Sequence, residues 1–260
     1  MKAMIFAAGL GTRLKPITDT IPKALVSVCG QPLLRHVIKR LEAAGFDDFV
    51  VNVHHFAEQI VSYIDSEGGF GANVAVSDES DRLLETGGGI LHARELLLRG
   101  EPSEGRFLVH NVDILSDLDV RGFMDAWRPD ALALLLVSER KTQRYLLFDD
   151  DMRLVGWTNI ATGEVRSPYP GLDPSTCRML AFSGIHQLSN SVFDVMEGEG
   201  MGERFPIMDF YLRVCGRYPV YGIKPTSLDL IDVGKLDTLA LAEEFILREA
   251  PRSCPDGPAA

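Results

Sequence analysis

Segments of strand and helix character alternate along the first half of the chain, and this alternation limits the fold more than any other feature. Apolar runs predict strands at residues 2–7, 49–53, 73–76 and 106–110. Apolar side chains recur at helical spacing over residues 32–44, over 56–64 and, after a glycine-rich turn at 85–89, up to residue 98. Strands that alternate with helices indicate parallel strands joined by crossover helices. We therefore expect an α/β fold with a mostly parallel mixed sheet flanked by helices.

The second half of the chain lacks this regular alternation. Strands are predicted at residues 131–137, 179–186, 220–223 and 229–233, with a hairpin over 145–157. Helices are predicted at residues 206–215 and 236–248. We expect one domain that consists of a first half (1–130), a second half (131–235) and a closing helix (236–250). Residues 251–260 are rich in proline and small residues, and we expect a disordered tail there.

The first predicted strand runs directly into a loop of small residues. Gly9 and Gly11 allow turns and a close approach of the backbone to a ligand. Exposed N–H groups in such a loop can bind phosphate oxygens, and Arg13 and Lys23 add positive charge. The spacing matches neither GxxxxGK[ST] nor GxGxxG. Residue types alone therefore leave two readings, a phosphate-binding loop and a tight turn between a strand and a helix.

Composition and charge exclude several classes of protein. The chain of 260 residues has a net charge of −11, which disfavours a nucleic-acid backbone as the main partner. No apolar run approaches the roughly 20 residues that span a bilayer, and the N-terminus does not resemble a signal peptide. The cysteines are scattered without a CxxC pair. We therefore expect reduced thiols, no zinc site, no membrane partner and a cytoplasmic location.

The opening motif resembles the signature of the sugar-1-phosphate nucleotidyltransferases. Ala7-Ala8-Gly9-x-Gly11-Thr12-Arg13-Leu14-x-Pro16-x-Thr18 is followed by Pro22-Lys23-x-Leu25-x-x-Val28-x-Gly30-x-Pro32. Later landmarks occur in the order of that family: Glu85-Thr86-Gly87-Gly88, Asp113, Ser183-Gly184-Ile185 and Asp232-Val233-Gly234. The resemblance covers residues 1 to about 245. It implies a Rossmann-like, nucleotide-diphospho-sugar transferase-like fold, with a nucleotide-binding first half and an acceptor-sugar second half.

The resemblance also implies a reaction and roles for individual residues. A sugar-1-phosphate attacks the α-phosphate of a nucleoside triphosphate and releases pyrophosphate, so catalysis consists mainly of positioning and charge stabilisation. Arg13 would hold the pyrophosphate, and Lys23 would neutralise the α-phosphate. The remaining expected nucleotide ligands are Ala7, Ala8, Gly9, Gly11, Thr12, Glu85, Thr86, Gly87, Gly88 and Asn111. Backbone groups of the Glu85–Gly88 turn would read the base, whereas a plain helix N-terminus is the alternative there.

The resemblance implies that Asp113 and Asp232 are the ligands of Mg²⁺, because the family places its metal carboxylates at these two motifs. Each follows an apolar strand, and carboxylate oxygens suit this cation, which completes its shell with water and phosphate oxygens. The family usually has Gly-Asp where this chain has Val112-Asp113. Helix capping is the alternative for an aspartate at a strand end. For Asp117 and Asp119 we prefer helix capping.

The expected acceptor-sugar ligands come from the second half. Ser183 and Gly184 stand where the family contacts the sugar, and Asp209 is a weaker candidate. Many relatives carry a Glu-Lys-Pro whose lysine binds the sugar phosphate, but this chain has no such lysine near residues 153–157. Arg140 and Arg144 are the candidate replacements, of which we select Arg144. A solvated loop is an equally good reading of that segment.

We interpret the chain as a Mg²⁺-dependent sugar-1-phosphate nucleotidyltransferase, with an NTP and a sugar-1-phosphate as its partners. The short build and Glu-Thr-Gly-Gly-Gly resemble the N-acetylmuramate-1-phosphate uridylyltransferases of cell-wall recycling. A guanylyltransferase for mannose- or heptose-1-phosphate is the alternative within the class. Outside it, the alternatives are a glycosyltransferase that uses Asp117-Leu118-Asp119 and a non-catalytic nucleotide-sugar sensor. The sequence leaves the base, the sugar and a homo-oligomeric state open.

Overall fold

A ten-stranded mixed sheet forms the centre of the computed structural model, which describes residues 1–102 and 104–249. This sheet and two small two-stranded sheets contain the strands β1 (Lys2–Phe6), β2 (Ser27–Val28), β3 (Gln31–Pro32), β4 (Asp48–Val53), β5 (Asn73–Asp78), β6 (Arg106–Asn111), β7 (Ile114–Ser116), β8 (Ala133–Ser138), β9 (Arg144–Phe148), β10 (Leu154–Asn159), β11 (Glu164–Arg166), β12 (Arg178–Ser189), β13 (Val220–Ile223) and β14 (Leu230–Asp232). The predicted tail, residues 251–260, lies outside the described residues.

Helices cover both faces of the large sheet. The α-helices are α1 (Leu33–Ala43), α2 (Ala57–Ser66), α3 (Glu85–His92), α4 (Arg94–Leu98), α5 (Val120–Asp125), α6 (Val192–Gly198), α7 (Ile207–Val214) and α8 (Asp237–Glu249). Short 3-10 helices lie at Thr12–Leu14, Ile17–Asp19, Lys23–Leu25, Gly68–Gly71 and Pro174–Thr176. Within the described residues, no helix is long and apolar enough to cross a membrane.

The first-half strands of the large sheet are parallel, and their order creates a crevice. β4 pairs with β1 on one side and β6 pairs with β1 on the other, while β5 continues the sheet beyond β4. β4 and β5 therefore lie on one side of β1 and β6 lies on the other, so the direction in which strands are added reverses at β1. Ligands bind at such a switch point, beyond the carboxyl ends of the strands. The loops after β1 and β6 meet there.

Successive residues of β1 point to opposite faces of the sheet, as expected for a strand. Ala3 and Ile5 join a core with α1, α2, α5 and α8, whereas Met4 joins a second core with α3, α4, α6 and α7. On α1, the apolar positions that predicted the helix are all buried (Leu33, Leu34, Val37, Ile38 and Leu41). The predicted α/β fold with a mostly parallel mixed sheet flanked by helices is confirmed.

The second half extends the same sheet with antiparallel strands. β12 pairs with β6, with β8 and, at its beginning, with β9, and the β9–β10 hairpin turns near Asp149–Asp151 as predicted. Between Phe182 and His186 the register of β12 and β8 shifts. The sequence interpretation missed β7, β11, α5 and α6, because these elements are only three to seven residues long. Elements of this length carry too few residues for a reliable period.

Candidate active site

A cleft of about 440 Å³ opens at the carboxyl ends of β1, β4, β5 and β6. The residues that line this cleft are Phe6, Ala8, Gly9, Lys23, Asn52, Glu79, Leu83, Glu85, Thr86, Asn111, Val112, Asp113 and Pro206. The predicted residues Ala8, Gly9, Lys23 and Asp113, which are far apart in the sequence, are therefore brought together. Their loops converge because the strands that precede them are parallel neighbours.

The conformation of the loop after β1 is defined by contacts within the loop itself. Gly11 has a φ of 62°, and a side chain there would meet Thr18 Cγ2 at 2.9 Å. The Thr18 hydroxyl donates to the Gly11 carbonyl at 2.8 Å, which closes the turn. Ala8 and Gly9 border the cleft, and Thr12 and Arg13 begin an exposed 3-10 helix. The N–H of Ala7, another predicted nucleotide ligand, donates to Asn52 Oδ1 at 2.8 Å and is therefore paired within the protein.

Lys23 and Asp113 form a largely buried ion pair at the floor of the cleft. Lys23 Nζ bonds to Asp113 Oδ2, and only 10% of the Lys23 side chain and 18% of the Asp113 side chain are exposed. A charged pair with so little solvent around it interacts strongly and is held in a defined position. The lysine is presented by the 3-10 helix Lys23–Leu25 and the aspartate by the loop after β6.

Asp232 lies beside Asp113 because β14 pairs with β7. In this small sheet Asp232 is opposite Ile114, and the Val233 N–H donates to the Asp113 carbonyl at 2.8 Å. Asp232 Oδ1 is buried and has no hydrogen-bond partner. A side chain on Gly234 would meet Arg13 Nη2 at 2.7 Å and Asp232 Oδ1 at 2.8 Å. Arg13 and Asp232 thus converge over Gly234, where no side chain blocks them.

The unpartnered oxygen of Asp232 bears on the expected metal. Buried polar atoms are normally hydrogen-bonded, so an orphaned carboxylate oxygen points to a missing partner. A pair of carboxylates that leaves other positions to phosphate and water is the arrangement that Mg²⁺ uses. The carboxylates of Asp113 and Asp232 therefore have the chemistry to hold a Mg²⁺ ion.

Glu85 and Thr86 form the wall of the cleft opposite the glycine loop. Glu85 has a φ of 63°, a conformation uncommon for a residue with a side chain, and its carboxylate pairs with Arg204 Nη2 at 3.0 Å. The Ile207 N–H at the start of α7 donates to Thr86 Oγ1 at 2.9 Å. This turn is consequently braced by the segment that leads into α7.

The N–H groups of Gly87 and Gly88, predicted nucleotide ligands, are already paired within the protein. Their N–H groups donate to the Phe205 carbonyl at 2.8 and 3.1 Å. Side chains on them would come within 2.2 Å of the Phe205 ring and of the Glu203 carbonyl. Both glycines are required for packing against residues 203–205, a contact that the sequence did not reveal.

The register shift in β12 shapes the acceptor side of the site. Gly184 has a φ of 76°, and a side chain there would meet Asn111 Nδ2 at 2.9 Å. Asn111, which lines the cleft, therefore lies directly over Gly184. Ser183 is buried instead, and its hydroxyl donates to Ser138 Oγ at 3.3 Å. The predicted sugar contact is thus compatible with Gly184, whereas the Ser183 side chain faces β8.

Arg144 and Asp209 lie outside the residues that line the cleft. Asp209 pairs with Arg166 Nη2 at 2.8 Å and borders a separate cavity of about 830 Å³. Arg144 is exposed at the start of β9, and Arg140 Nη2 donates to the Phe182 carbonyl at 3.3 Å. Asp119 accepts the Gly122 N–H as an N-cap, as predicted, but Asp117 Oδ1 accepts the Asp229 N–H rather than capping a helix.

Several cleft residues were absent from the sequence interpretation, and Asn52 and Glu79 are the most polar of them. Both are almost fully buried. Asn52 interrupts the apolar run Val50-Val51-Asn52-Val53, and Glu79 follows the next strand at the same edge of the sheet. A polar residue within an apolar strand could have indicated a site residue, since buried polar groups need specific partners.

Two buried histidines lie beneath the cleft. Burial lowers the pKa of His110 to about 4, opposed by its contact with the Asn111 carbonyl. Burial also lowers the pKa of His186 to about 3, and the nearby His110 lowers it further. His186 Nδ1 bonds to the Tyr211 hydroxyl. Both imidazoles are therefore neutral at pH 7.

A glycine loop, a buried lysine and two neighbouring carboxylates lie together at the switch point of an α/β sheet, the place where ligands bind in such folds. The chain belongs to the nucleotidyl transferase family, which residues 2–145 match. The predicted family is thereby confirmed, and with it the prediction that the protein is an enzyme of this class.

Relatives with assigned functions cover different parts of the chain. The N-acetylmuramate alpha-1-phosphate uridylyltransferase of Caulobacter vibrioides is 32% identical over 236 residues, which are 87% of this chain and 89% of that protein. The uridylyltransferase of the same name from Neisseria meningitidis is 45% identical over 46% of this chain and 49% of its own length. Probable mannose-1-phosphate guanylyltransferase 2 of Arabidopsis thaliana is 36% identical over 45% of this chain and 32% of its own length.

Solved structures share the fold at low identity. The UDP-glucose pyrophosphorylase of Acinetobacter baumanii has a TM-score of 0.75 and 18% identity, and the alignment covers 96% of this chain and 94% of that one. The nucleotide-diphospho-sugar transferase-like fold expected from the sequence is confirmed by this likeness.

Proposed function

We propose that this protein joins UTP and N-acetylmuramate 1-phosphate to give the UDP-sugar and pyrophosphate. The observation that carries the proposal is the similarity to the Caulobacter uridylyltransferase, because it extends over 87% of the chain and so includes the acceptor side. A second uridylyltransferase of the same name is 45% identical over 119 residues. We further propose a cytoplasmic location and the division into a nucleotide half, an acceptor half and a closing helix.

GTP-dependent transfer to mannose 1-phosphate is the second candidate. It is supported by the plant guanylyltransferase, which is 36% identical over 121 residues. That similarity covers 45% of this chain, less than the Caulobacter uridylyltransferase does. It therefore carries less information about the acceptor, and we rank this function second.

The phosphates of the nucleotide would lie along the glycine loop. Ala8 and Gly9 bring backbone close to the cleft without side chains that obstruct it. Arg13, with its planar fork of donors, would hold the leaving pyrophosphate. Lys23 would neutralise the α-phosphate, where negative charge accumulates in the transition state. Catalysis would thus rest on charges already fixed in place, with no covalent nucleophile.

Asp113 and Asp232 would hold the divalent cation. When bound, Mg²⁺ supplies positive charge that offsets the repulsion between the triphosphate and the attacking sugar phosphate. Asp113 also pairs with Lys23, so one carboxylate fixes the position of the main cationic side chain. Asp232 contributes a buried carboxylate oxygen that has no protein partner.

Asn111 and Gly184 would border the acceptor sugar. The amide of Asn111 offers both a donor and an acceptor to sugar or ribose hydroxyls, and Gly184 leaves room beneath it. Arg144 is our candidate for the charge that the missing lysine supplies in relatives. The cation is exposed, so we expect a modest contribution from it.

The proposal is tested by incubating purified protein with Mg²⁺ and each of the four NTPs against a panel of sugar-1-phosphates. We expect pyrophosphate release and a UDP-sugar, identified by mass, with UTP and N-acetylmuramate 1-phosphate. Turnover with GTP and mannose 1-phosphate alone would replace the proposal with the second candidate. Nucleotide-sugar binding without turnover for any pair would contradict both.

A further inference from the structure

Asn52 and Glu79 form a buried polar pair at the cleft that has no role in the reaction described above. Asn52 lies near the end of β4, and Glu79 directly follows β5, the neighbouring parallel strand. Their exposed fractions are 2% and 3%, yet both line the cleft. Side chains this polar are rarely so completely buried without a specific purpose.

The pair is the centre of a hydrogen-bond chain between two walls of the cleft. On one side, the Ala7 N–H donates to Asn52 Oδ1 at 2.8 Å, where β1 ends and the glycine loop begins. Asn52 Nδ2 then donates to Glu79 Oε1 at 2.7 Å. On the other side, Glu79 Oε2 accepts the Leu84 N–H at 3.2 Å, one residue before Glu85. The glycine loop is thus linked to the base-side turn through two side chains.

Neighbouring groups leave this chain little freedom. A side chain on Gly89 of α3 would meet Glu79 Oε1 at 2.7 Å and Asn52 Nδ2 at 3.1 Å. The Glu79 carbonyl accepts the His54 Nδ1–H at 2.6 Å. Among the residues that the structure describes, no cation pairs with the Glu79 carboxylate. Its carboxyl oxygens are bonded to the Asn52 amide and the Leu84 N–H, and because the group is buried both contacts are costly to lose.

We propose that Asn52 and Glu79 are positioning residues that hold the glycine loop and the Glu85–Thr86 turn at the spacing that an NTP requires. The inference rests on the proposed function in so far as the NTP lies between these two walls. In the proposed function an NTP would touch both walls at once, whereas the acceptor sugar would lie towards Asn111 and Gly184. The pair therefore acts on NTP binding and leaves acceptor binding nearly unchanged.

Single substitutions break the chain at defined atoms. In Glu79→Gln, one oxygen becomes an NH₂ group that faces a donor, either the Asn52 amide or the Leu84 N–H. In Asn52→Asp, a second carboxylate faces Glu79 and repels it. We expect each variant to raise the KM for UTP about tenfold, the effect of losing one buried hydrogen bond. The KM for the sugar-1-phosphate should stay within about twofold of that of the wild type.

The double variant Asn52→Asp/Glu79→Gln restores the chain with donor and acceptor exchanged. The carboxylate introduced on β4 would accept both from the Ala7 N–H and from the amide introduced after β5. The oxygen of that amide would accept the Leu84 N–H. We expect the KM of the double variant for UTP to return to within about threefold of that of the wild type. Such coupling between neighbouring sites is what a double-mutant cycle measures.

Asn73→Asp is the matched control. Asn73 and Asp48 form an amide–carboxylate pair on the same two strands, with Asn73 Nδ2 3.2 Å from Asp48 Oδ1, but at their opposite, exposed ends. The KM for UTP should be unchanged in this variant. A rise like that in the single variants at the cleft would overturn the proposal.

Two further outcomes would overturn the inference. One is a double variant no better than the worse single variant. The other is a pair of single variants that lower the melting temperature while both KM values stay unchanged, which would assign the pair a purely structural role. The dissociation constant of UTP, measured by calorimetry without acceptor, separates this inference from the proposed function. A wild type that binds UTP but makes no UDP-sugar contradicts the proposed function, and UTP binding by the variants still decides the inference.

Discussion

The polar pairs in the cleft of the first half differ in burial from three ion pairs of the second half. In the first half, Lys23 with Asp113 and Asn52 with Glu79 are mostly buried and lie in one cleft. In the second half, the ion pairs Arg166–Asp209, Arg178–Asp150 and Lys224–Glu139 lie at the surface with side chains at least 44% exposed.

This contrast has a topological cause. Parallel strands bring the loops that follow them to one edge of the sheet, where their polar groups are buried against each other. Antiparallel strands send successive loops to opposite ends, so the charges of the second half are dispersed. The cleft that we propose for the nucleotide therefore has polar groups paired by buried contacts, whereas these three ion pairs of the proposed acceptor half are surrounded by solvent. The following predictions test that difference, beginning with the largest effect.

Lys23→Ala should lower kcat by about 100- to 1000-fold, because it removes a fixed positive charge where negative charge develops. Pyrophosphate release measures the rate, and circular dichroism checks that the fold is retained. Lys39→Ala is the control, since Lys39 pairs with Glu42 on the surface of α1. A Lys23→Ala enzyme with nearly normal turnover would contradict the proposed role.

The free energy of unfolding should fall in acid, because His110 of β6 and His186 of β12 are buried as neutral groups where these two strands join the halves. Their folded-state pKa values of about 4 and about 3 lie below the usual 6.5. Below pH 6.5 the unfolded chain therefore binds more protons than the folded chain does. This stabilisation is fully present above pH 6.5 and is lost as the pH falls towards 4. Each histidine should cost about 1.4 kcal/mol of unfolding free energy per pH unit.

Urea unfolding across this pH range measures the effect. A free energy of unfolding that does not change between pH 6.5 and about 4 would show that the junction of these two strands opens to water or that the histidines find partners when charged.

Asp113→Asn should raise the Mg²⁺ concentration for half-maximal rate roughly tenfold, because an amide is a weaker ligand than a carboxylate. Titration of activity with Mg²⁺ at saturating substrates gives the value. Asp117→Asn serves as the control, since Asp117 Oδ1 accepts the Asp229 N–H and an amide oxygen can do the same. Unchanged metal dependence in Asp113→Asn would remove Asp113 from the metal site.

Arg144→Ala should raise the KM for the sugar-1-phosphate about fivefold or less and leave the KM for UTP unchanged, because an exposed cation contributes little. Arg178→Ala, which removes another exposed arginine of the second half, is the control. If Arg140→Ala produces the effect and Arg144→Ala does not, the missing lysine is replaced by the side chain that already contacts Phe182.

The features that could be predicted from the sequence are those that depend on residues adjacent in the chain. The alternation of strands and helices determined the α/β class, and the thirty-residue opening motif determined the glycine loop, Arg13 and Lys23. The aspartates at 113 and 232 were expected to be metal ligands from the family resemblance, together with their places after apolar strands. These features depend on local periodicity and on turns, which neighbouring residues control.

Only the tertiary structure decided how distant polar groups pair. The N–H groups of Gly87 and Gly88 donate to the Phe205 carbonyl. The Ser183 hydroxyl donates to Ser138 Oγ, and Asp209 forms an ion pair with Arg166. Asn52 and Glu79 join two loops that are separated by more than seventy residues in the sequence. A hydrogen bond depends on distances and angles defined to fractions of an ångström. Residue order determines which loops share an edge of the sheet, but the packing of the whole chain determines which atoms meet there.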